Sequence, residues 1–359
     1  MPTLQDYPFP WQMCYNSSME RPDLSQIPDD VRAYIEALEQ ELLSLQNSPT
    51  LSKEAPEPEF SEPPTTINVI TVSQAGYAKR TPRHWYGRQR RSGMGVFDIE
   101  LSDDDVPALL ALADESEQLL LFTNQGRAFR LPVTAVPETA VRGRGQSIPE
   151  KLPFRPSERV VAVLPADHGQ QVALVSEKGW VRQVHKARLG SSLIPGMSFF
   201  DTSKQGTVVA ACWSNGQEDL FIATRLGLGI RFADRQVHQQ GNLGIRLDPG
   251  DEVVAITAVS EDGGVFLIGD DGKGTIRLME GFRANKAPGA SGKVAMKTEN
   301  LVTAVAVNTP DDIFLISQTS KVIRFQAEEI PAKTGVVQGV ICMSLRNDLV
   351  TAAAITPMK

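Results

Sequence analysis

The stretch Leu120-Leu121-Phe122-Thr123-Asn124-Gln125-Gly126-Arg127-Ala128-Phe129-Arg130-Leu131 places an apolar run, a polar turn closed by glycine and a second run within twelve residues. Runs too short for a helix, split by turn formers, describe a β-hairpin, here with the look of a two-residue turn at Asn124-Gln125-Gly126. The same order of residues returns at Val69–Val72 before Gly76, Val172–Val175 before Gly179 and Leu220–Ile222 before Gly227. It returns again at Val265–Ile268 before Gly272 and Gly274, and at Ile313–Ile316 before Ser320. With Gly274 as the fifth turn, the spacings are 50, 53, 48, 47 and 46 residues. A second glycine follows each turn, at Gly95, Gly145, Gly196, Gly244, Gly292 and Gly339, 17 to 19 residues further on. Glycine at both turns suits positions that need φ > 0. Each unit then closes with one more apolar run, such as Ala108–Ala113 and Leu349–Ile355. Three or four strands in each of six units predict an all-β, propeller-like array over residues 67–359.

The 66 residues before the array have a different composition. They hold three basic side chains against twelve acidic ones, whereas the remainder holds 33 against 31, within a total formal charge of −7. Residues 1–27 lack periodicity and are expected to form a disordered arm. Pro28, Asp29 and Asp30 suit a first helical turn, and Val31, Ile35, Leu38, Leu42 and Leu45 then form one stripe, which predicts an amphipathic helix over 28–47. That stripe is open to two readings, docking on the chain's own body or self-association. Residues 48–66, with five prolines among Glu and Ser, are expected to be a linker. Cys14, Cys212 and Cys342 are too few and too scattered for a disulfide framework or a zinc site, and no leader or membrane-length apolar run is evident. A cytoplasmic protein without membrane, metal or cofactor is expected.

The body is near neutral, but its charge is not evenly spread. Lys79, Arg80, Arg83, Arg88, Arg90 and Arg91 occur with no acid among them, the last three in a loop Gly87-Arg-Gln-Arg-Arg-Ser-Gly-Met-Gly95. Arginine forks on a loop with little bulk match phosphate oxygens. A cation also follows the first turn of every unit, at Arg80, Arg130, Arg182, Arg231, Arg277 and Arg324, with Arg142, Arg144, Lys186, Arg188, Arg235, Arg283, Lys286 and Lys333 in the same stretches. In a closed radial array a once-per-repeat cation becomes an arc of charge on the rim, suited either to duplex DNA or merely to solubilising sheet edges.

Gln89, Arg90, Arg91, Ser92, Gly93, Met94 and Gly95 resemble the Gln-Arg-Arg-Gly-Gly-Lys-Gly box of the DNA gyrase A C-terminal domain, with Ser92 in place of glycine and Met94 in place of lysine. The repeat Phe122–Leu131 is similar to that of the gyrase A and topoisomerase IV C-terminal domains. The resemblance implies a six-bladed β-pinwheel, an anchor for DNA in the box loop and non-sequence-specific binding, bending or wrapping of duplex DNA by Lys79, Arg80, Arg83, Arg88, Gln89, Arg90 and Arg91 and the repeat cations. It also implies gyrase or topoisomerase IV subunits as partners. A protein-interaction scaffold that no longer wraps DNA is the alternative.

Enzymatic signals are thin. Tyr7, Tyr15, Tyr34, Tyr77 and Tyr86 lack the neighbours expected of a DNA-linked nucleophile, and 66 residues are too few for a breakage-reunion portion. No strand cleavage and no ATP use are expected of this chain alone. His84, His168, His185 and His238 are isolated, and Asp103-Asp104-Asp105 reads as a solvated loop.

Overall fold

The computed structural model describes residues 28, 31–36, 38, 39 and 62–356. The chain separates into two units, Met1–Glu57 and Pro58–Lys359. In the first, residues 31–36 and 38–39 are helical, with Val31, Tyr34 and Leu38 exposed. The expected arm, the rest of the 28–47 helix and the linker as far as residue 61 lie outside the described residues. The linker was expected to run to residue 66, but the chain is already pinned at Glu62, whose carboxylate binds Arg83 and Arg324.

The second unit is a closed ring of six antiparallel blades. Blade one, from the axis outward, consists of Pro107–Asp114, Ile67–Ser73, Tyr77–Pro82 and Gln146–Ser147. Its outermost strand therefore comes from the next repeat. Blades two to five borrow in the same direction, and blade six (Val350–Thr356, Asp312–Ser317, Lys321–Gln326) takes Val96–Phe97 from the first repeat. Blade five departs from the rule, because Ala332–Lys333 adds in parallel beside Val340–Ile341.

The second strand of each blade is apolar on both faces because both faces are buried. Side chains alternate across a strand, so Ile70 and Val72 pack with Leu119 and Leu121 of blade two, while Val69 packs with Phe314 and Ile316 of blade six. Six such clusters lie between successive blades, and the one joining blades six and one closes the ring.

All six hairpins share one turn. The connection has three residues rather than two, and the amide of the third donates to the carbonyl of the last strand residue, as in Gly126 N to Thr123 O at 2.8 Å. That third residue has φ near +70 to +90°, in Gly76, Gly126, Gly179, Gly227 and Gly272. The fifth turn is therefore at Gly272, and Gly274 lies in the following strand. In blade six the residue is Ser320, held at φ 62°. A hydroxyl at the strand end supports the turn by accepting the amide four residues on, as in Tyr77 N to Ser73 Oγ and Lys321 N to Ser317 Oγ. At the second glycines φ > 0 is not general. Gly145 has an ordinary φ, and a Cβ there would meet the Ala78 carbonyl oxygen at 2.8 Å, so close strand approach is what requires glycine.

Candidate nucleic-acid interface

A single-turn 3-10 helix follows the third strand of each blade, at Arg83–Trp85, Val133–Ala135, Lys186–Arg188, Asp234–Gln236, Met279–Gly281 and Ala327–Glu329. These turns and the segments after them run between the third strand and the outermost strand, on the outer edge of the disc.

Arg80, Arg130, Arg231 and Arg324 share a register, each two residues beyond the last hairpin pair. Each reaches the 3-10 turn of the next blade. Arg80 Nε donates to Val136 O at 3.1 Å and Arg130 Nη1 to Leu189 O at 3.1 Å. Arg231 Nη1 donates to Met279 O at 2.8 Å, and Arg324 Nη1 to Tyr86 O at 3.1 Å, the last crossing the closing seam. Carboxylates neutralise the buried pair, Asp219 at 2.6 Å from Arg231 and Asp312 at 2.5 Å from Arg324. These arginines are staples between blades. Arg182 and Arg277 lie off the register, which Gln183 and Ile276 occupy in their blades.

The expected ring of phosphate contacts is corrected accordingly. Lys79, Arg231 and Arg324 are 0%, 4% and 1% exposed and each is held by a carboxylate, so none presents its charge to a duplex, while Arg277 is 5% exposed. Lys79 is bound to Asp98 at 2.6 Å and to the carbonyl oxygens of Asp98 and Ala140, while Tyr86 and Thr71 donate to the same carboxylate. Burial lowers the Lys79 pKa against the opposing pull of Asp98, and burial raises that of Tyr86 well above the phenolic norm. Arg83 is held by Glu62 at 2.8 Å, and Arg88 by Asp312 at 3.0 Å. The charges that sequence reading placed on a rim are therefore largely the charges that hold the ring shut.

The box loop lies on the seam between blades six and one. Gln89 N donates to Arg324 O, Arg91 N to Glu329 Oε2 and Ser92 N to Cys342 O, at 2.8, 2.9 and 2.8 Å. Arg91 Nη1 and Ser92 Oγ both donate to Ile341 O, at 3.1 and 3.0 Å. Ser92 takes φ 69° where the gyrase box has glycine. An open depression of about 670 Å³ is lined by Arg88, Gln89, Arg90, Arg91, Ser92, Gln326 and Glu329. Arg90 is exposed on it, as is Met94 nearby, at 53%.

The accessible cations lie in the outer segments. Arg142, Arg144, Arg188, Arg235, Arg283, Lys286 and Lys333 are exposed, and Arg182 and Lys186 half-buried. Arg144 pairs with Glu100 at 2.7 Å, a hydrogen bond that raises the guanidinium pKa and lowers that of the carboxyl. Counted from each 3-10 turn to the second glycine (83–95, 133–145, 186–196, 234–244, 279–292 and 327–339), these segments carry twelve Lys or Arg against five Asp or Glu. The first three hold eight against one, and the last three four against four. Arg188, Arg235, Arg283, Lys286 and Lys333 are among the further cations that the sequence places in these stretches.

The fold and edge define a strand-exchanged, six-bladed β-pinwheel with a cationic arc. Residues 68–106, 117–167, 235–260 and 311–357 match the family described as DNA gyrase C-terminal domain, β-propeller. It is 30% identical to the DNA gyrase A protein of Ureaplasma parvum over 291 residues, covering 78% of this chain and 34% of that protein. The DNA gyrase A protein of Escherichia coli is 26% identical over 292 residues, covering 78% and 33%. The chain thus spans about a third of the length of these relatives. The solved DNA gyrase A C-terminal domain superposes with a TM-score of 0.72 at 20% identity, covering 80% of this chain and 99% of that one. The C-terminal domain of DNA topoisomerase IV gives 0.58 at 20% identity, covering 80% and 93%. Among the described residues no helix is long and apolar enough to cross a membrane.

Proposed function

We propose that the disc binds duplex DNA along its outer edge, without reading sequence, as an accessory to a type IIA topoisomerase. The observation that carries this reading is the excess of cations in the edge segments of a chain whose formal charge is −7. Lysine and arginine replace counterions along the phosphate backbone and hold the duplex with little base preference. Arg90, Arg142, Arg144, Lys186 and Arg188 on the first three blades form the principal contact, with Arg235, Arg283, Lys286 and Lys333 a weaker continuation. Smooth bending costs about 1–6 kcal/mol per 20–30 base pairs, so an arc rich on only half the disc favours binding and partial bending over a full wrap.

The test is a salt titration of binding to linear duplex DNA, paired with a supercoil-trapping assay on relaxed plasmid. Arg142→Ala with Arg144→Ala should lower the slope of log K against log salt by about 1–2. An unchanged slope removes that edge from the interface. A second reading, a protein-interaction scaffold, draws on the balanced charge of the last three segments and on exposed Met94, Val96, Phe97 and Ile341. Absence of DNA binding at low salt selects it.

A further inference from the structure

Arg277 stands on the wrong face of its strand for a staple. It falls three residues beyond the last hairpin pair, where the other blades place Thr81, Leu131, Val184, Phe232 and Phe325. Val184, Phe232 and Phe325 are buried there, and so is Arg277, at 5% exposure. Its guanidinium makes one hydrogen bond, from Nη2 to Gly281 O at 3.3 Å, and Nε and Nη1 have no acceptor. Among the described residues no carboxylate pairs with it, in contrast to Asp219 beside Arg231 and Asp312 beside Arg324. A guanidinium does not escape burial by shedding its proton, so the charge stays without a counter-ion. Burial accordingly lowers its pKa from the ordinary value.

The surroundings add positive charge. Arg277 Cζ lies 5.8 Å from the Phe282 ring centroid, and Lys293 Nζ lies 5.8 Å from the same centroid. Lys333 is the Cα partner of Arg277 on the parallel strand. Residues 331–336 are all exposed and are joined to the blade by the short parallel pairing of Ala332–Lys333 and by the close approach of Gly281 to Thr334.

We propose that Arg277, with Lys293 and Lys333, forms an oxyanion site beside the seam of blades four and five that takes one phosphate group, as free phosphate or as part of a DNA backbone. A tetrahedral oxyanion supplies the acceptors that Nε and Nη1 lack, and Lys293 and Lys333 add positive charge to this part of the blade. Binding of free phosphate does not require the DNA-binding reading to hold.

Equilibrium dialysis of radiolabelled inorganic phosphate against the full chain tests the site, alongside thermal unfolding in phosphate and in chloride at equal ionic strength. Wild type should bind one phosphate per chain and gain Tm in phosphate. Arg277→Met places an apolar side chain where Val184 and Phe232 sit in other blades. It should fold, lose the bound phosphate and lose the phosphate-dependent gain in Tm. Displacement of the label by duplex DNA identifies the backbone as the ligand, and retention under saturating DNA identifies the free ion. No phosphate bound by wild type, or equal binding by Arg277→Met, overturns the proposal.

Discussion

Replacing Arg324 with methionine separates a staple from a phosphate contact. The arginine gives up hydrogen bonds to Asp312 at 2.5 and 2.8 Å, Glu62 at 2.8 Å and Tyr86 O at 3.1 Å, all across or beside the closing seam. Breaking a buried ion pair costs about 3–5 kcal/mol because the remaining charge stays buried. Asp312 is 0% exposed but keeps Arg88 at 3.0 Å, so the lower end applies, about 3 kcal/mol. With a urea m-value of about 3 kcal/mol per molar, the midpoint should fall by about 1 M. The control is Arg130→Met, whose partner Asp167 is 67% exposed at 3.5 Å. Loss of such a surface pair costs about 0–1 kcal/mol. Tryptophan fluorescence in urea gives both midpoints, and DNA affinity is measured below the transition. Unchanged stability in Arg324→Met together with weakened DNA binding would refute the staple and restore this arginine to the interface.

Ser320→Gly should stabilise the disc by about 0.5–1 kcal/mol, because serine at φ 62° carries a left-handed strain that glycine avoids; a higher Tm checks it. Burial would raise the Glu62 carboxyl pKa, but hydrogen bonds from Arg324 and Arg83 outweigh it and hold the pKa below the ordinary value. Its contribution to stability is therefore full above the unfolded carboxylate pKa and is lost as pH falls through the lowered one. Glu62→Gln should flatten that part of the urea midpoint's pH profile, and an unchanged profile counts against the clasp. Cys342 is 0% exposed with its thiol pushed up by burial to about 12, so in a Cys14→Ser, Cys212→Ser background a thiol reagent should label it only at the rate of unfolding; rapid labelling of folded protein contradicts its burial.

The blade count and a propeller-like array were legible in the sequence because each repeat carries a similar apolar run and turn, whereas the pinwheel rested on the resemblance to the gyrase A C-terminal repeat. The turn type was not, since Asn124-Gln125-Gly126 reads as a two-residue turn until the bond from Gly126 N to Thr123 O is seen. The site was read less well. Arg80, Arg231 and Arg324 recur once per repeat for the same reason that Val72 and Ile316 do, because every blade must meet its neighbour. Periodicity reports structural need, and it cannot distinguish an arginine bound to Asp312 from one facing solvent. Asp98 and Asp312 lie 19 and 12 residues from the Lys79 and Arg324 that they bind, and Glu62 lies 262 residues from Arg324, so no adjacent residue marks these pairings. Arg142, Arg188 and Arg283, which lie off that register, are exposed.

Ring closure also sets a timetable for biosynthesis. The bond between Arg88 and Asp312 spans 224 residues, and the first repeat must wait for the sixth before Val96–Phe97 has a strand to join. At about 5–20 residues per second the ribosome needs roughly 10–45 seconds to cover that distance. Throughout that interval the nascent chain carries an unpaired strand edge, so its exposure to chaperones and to premature pairing with neighbouring polysomes is set by the strand exchange itself.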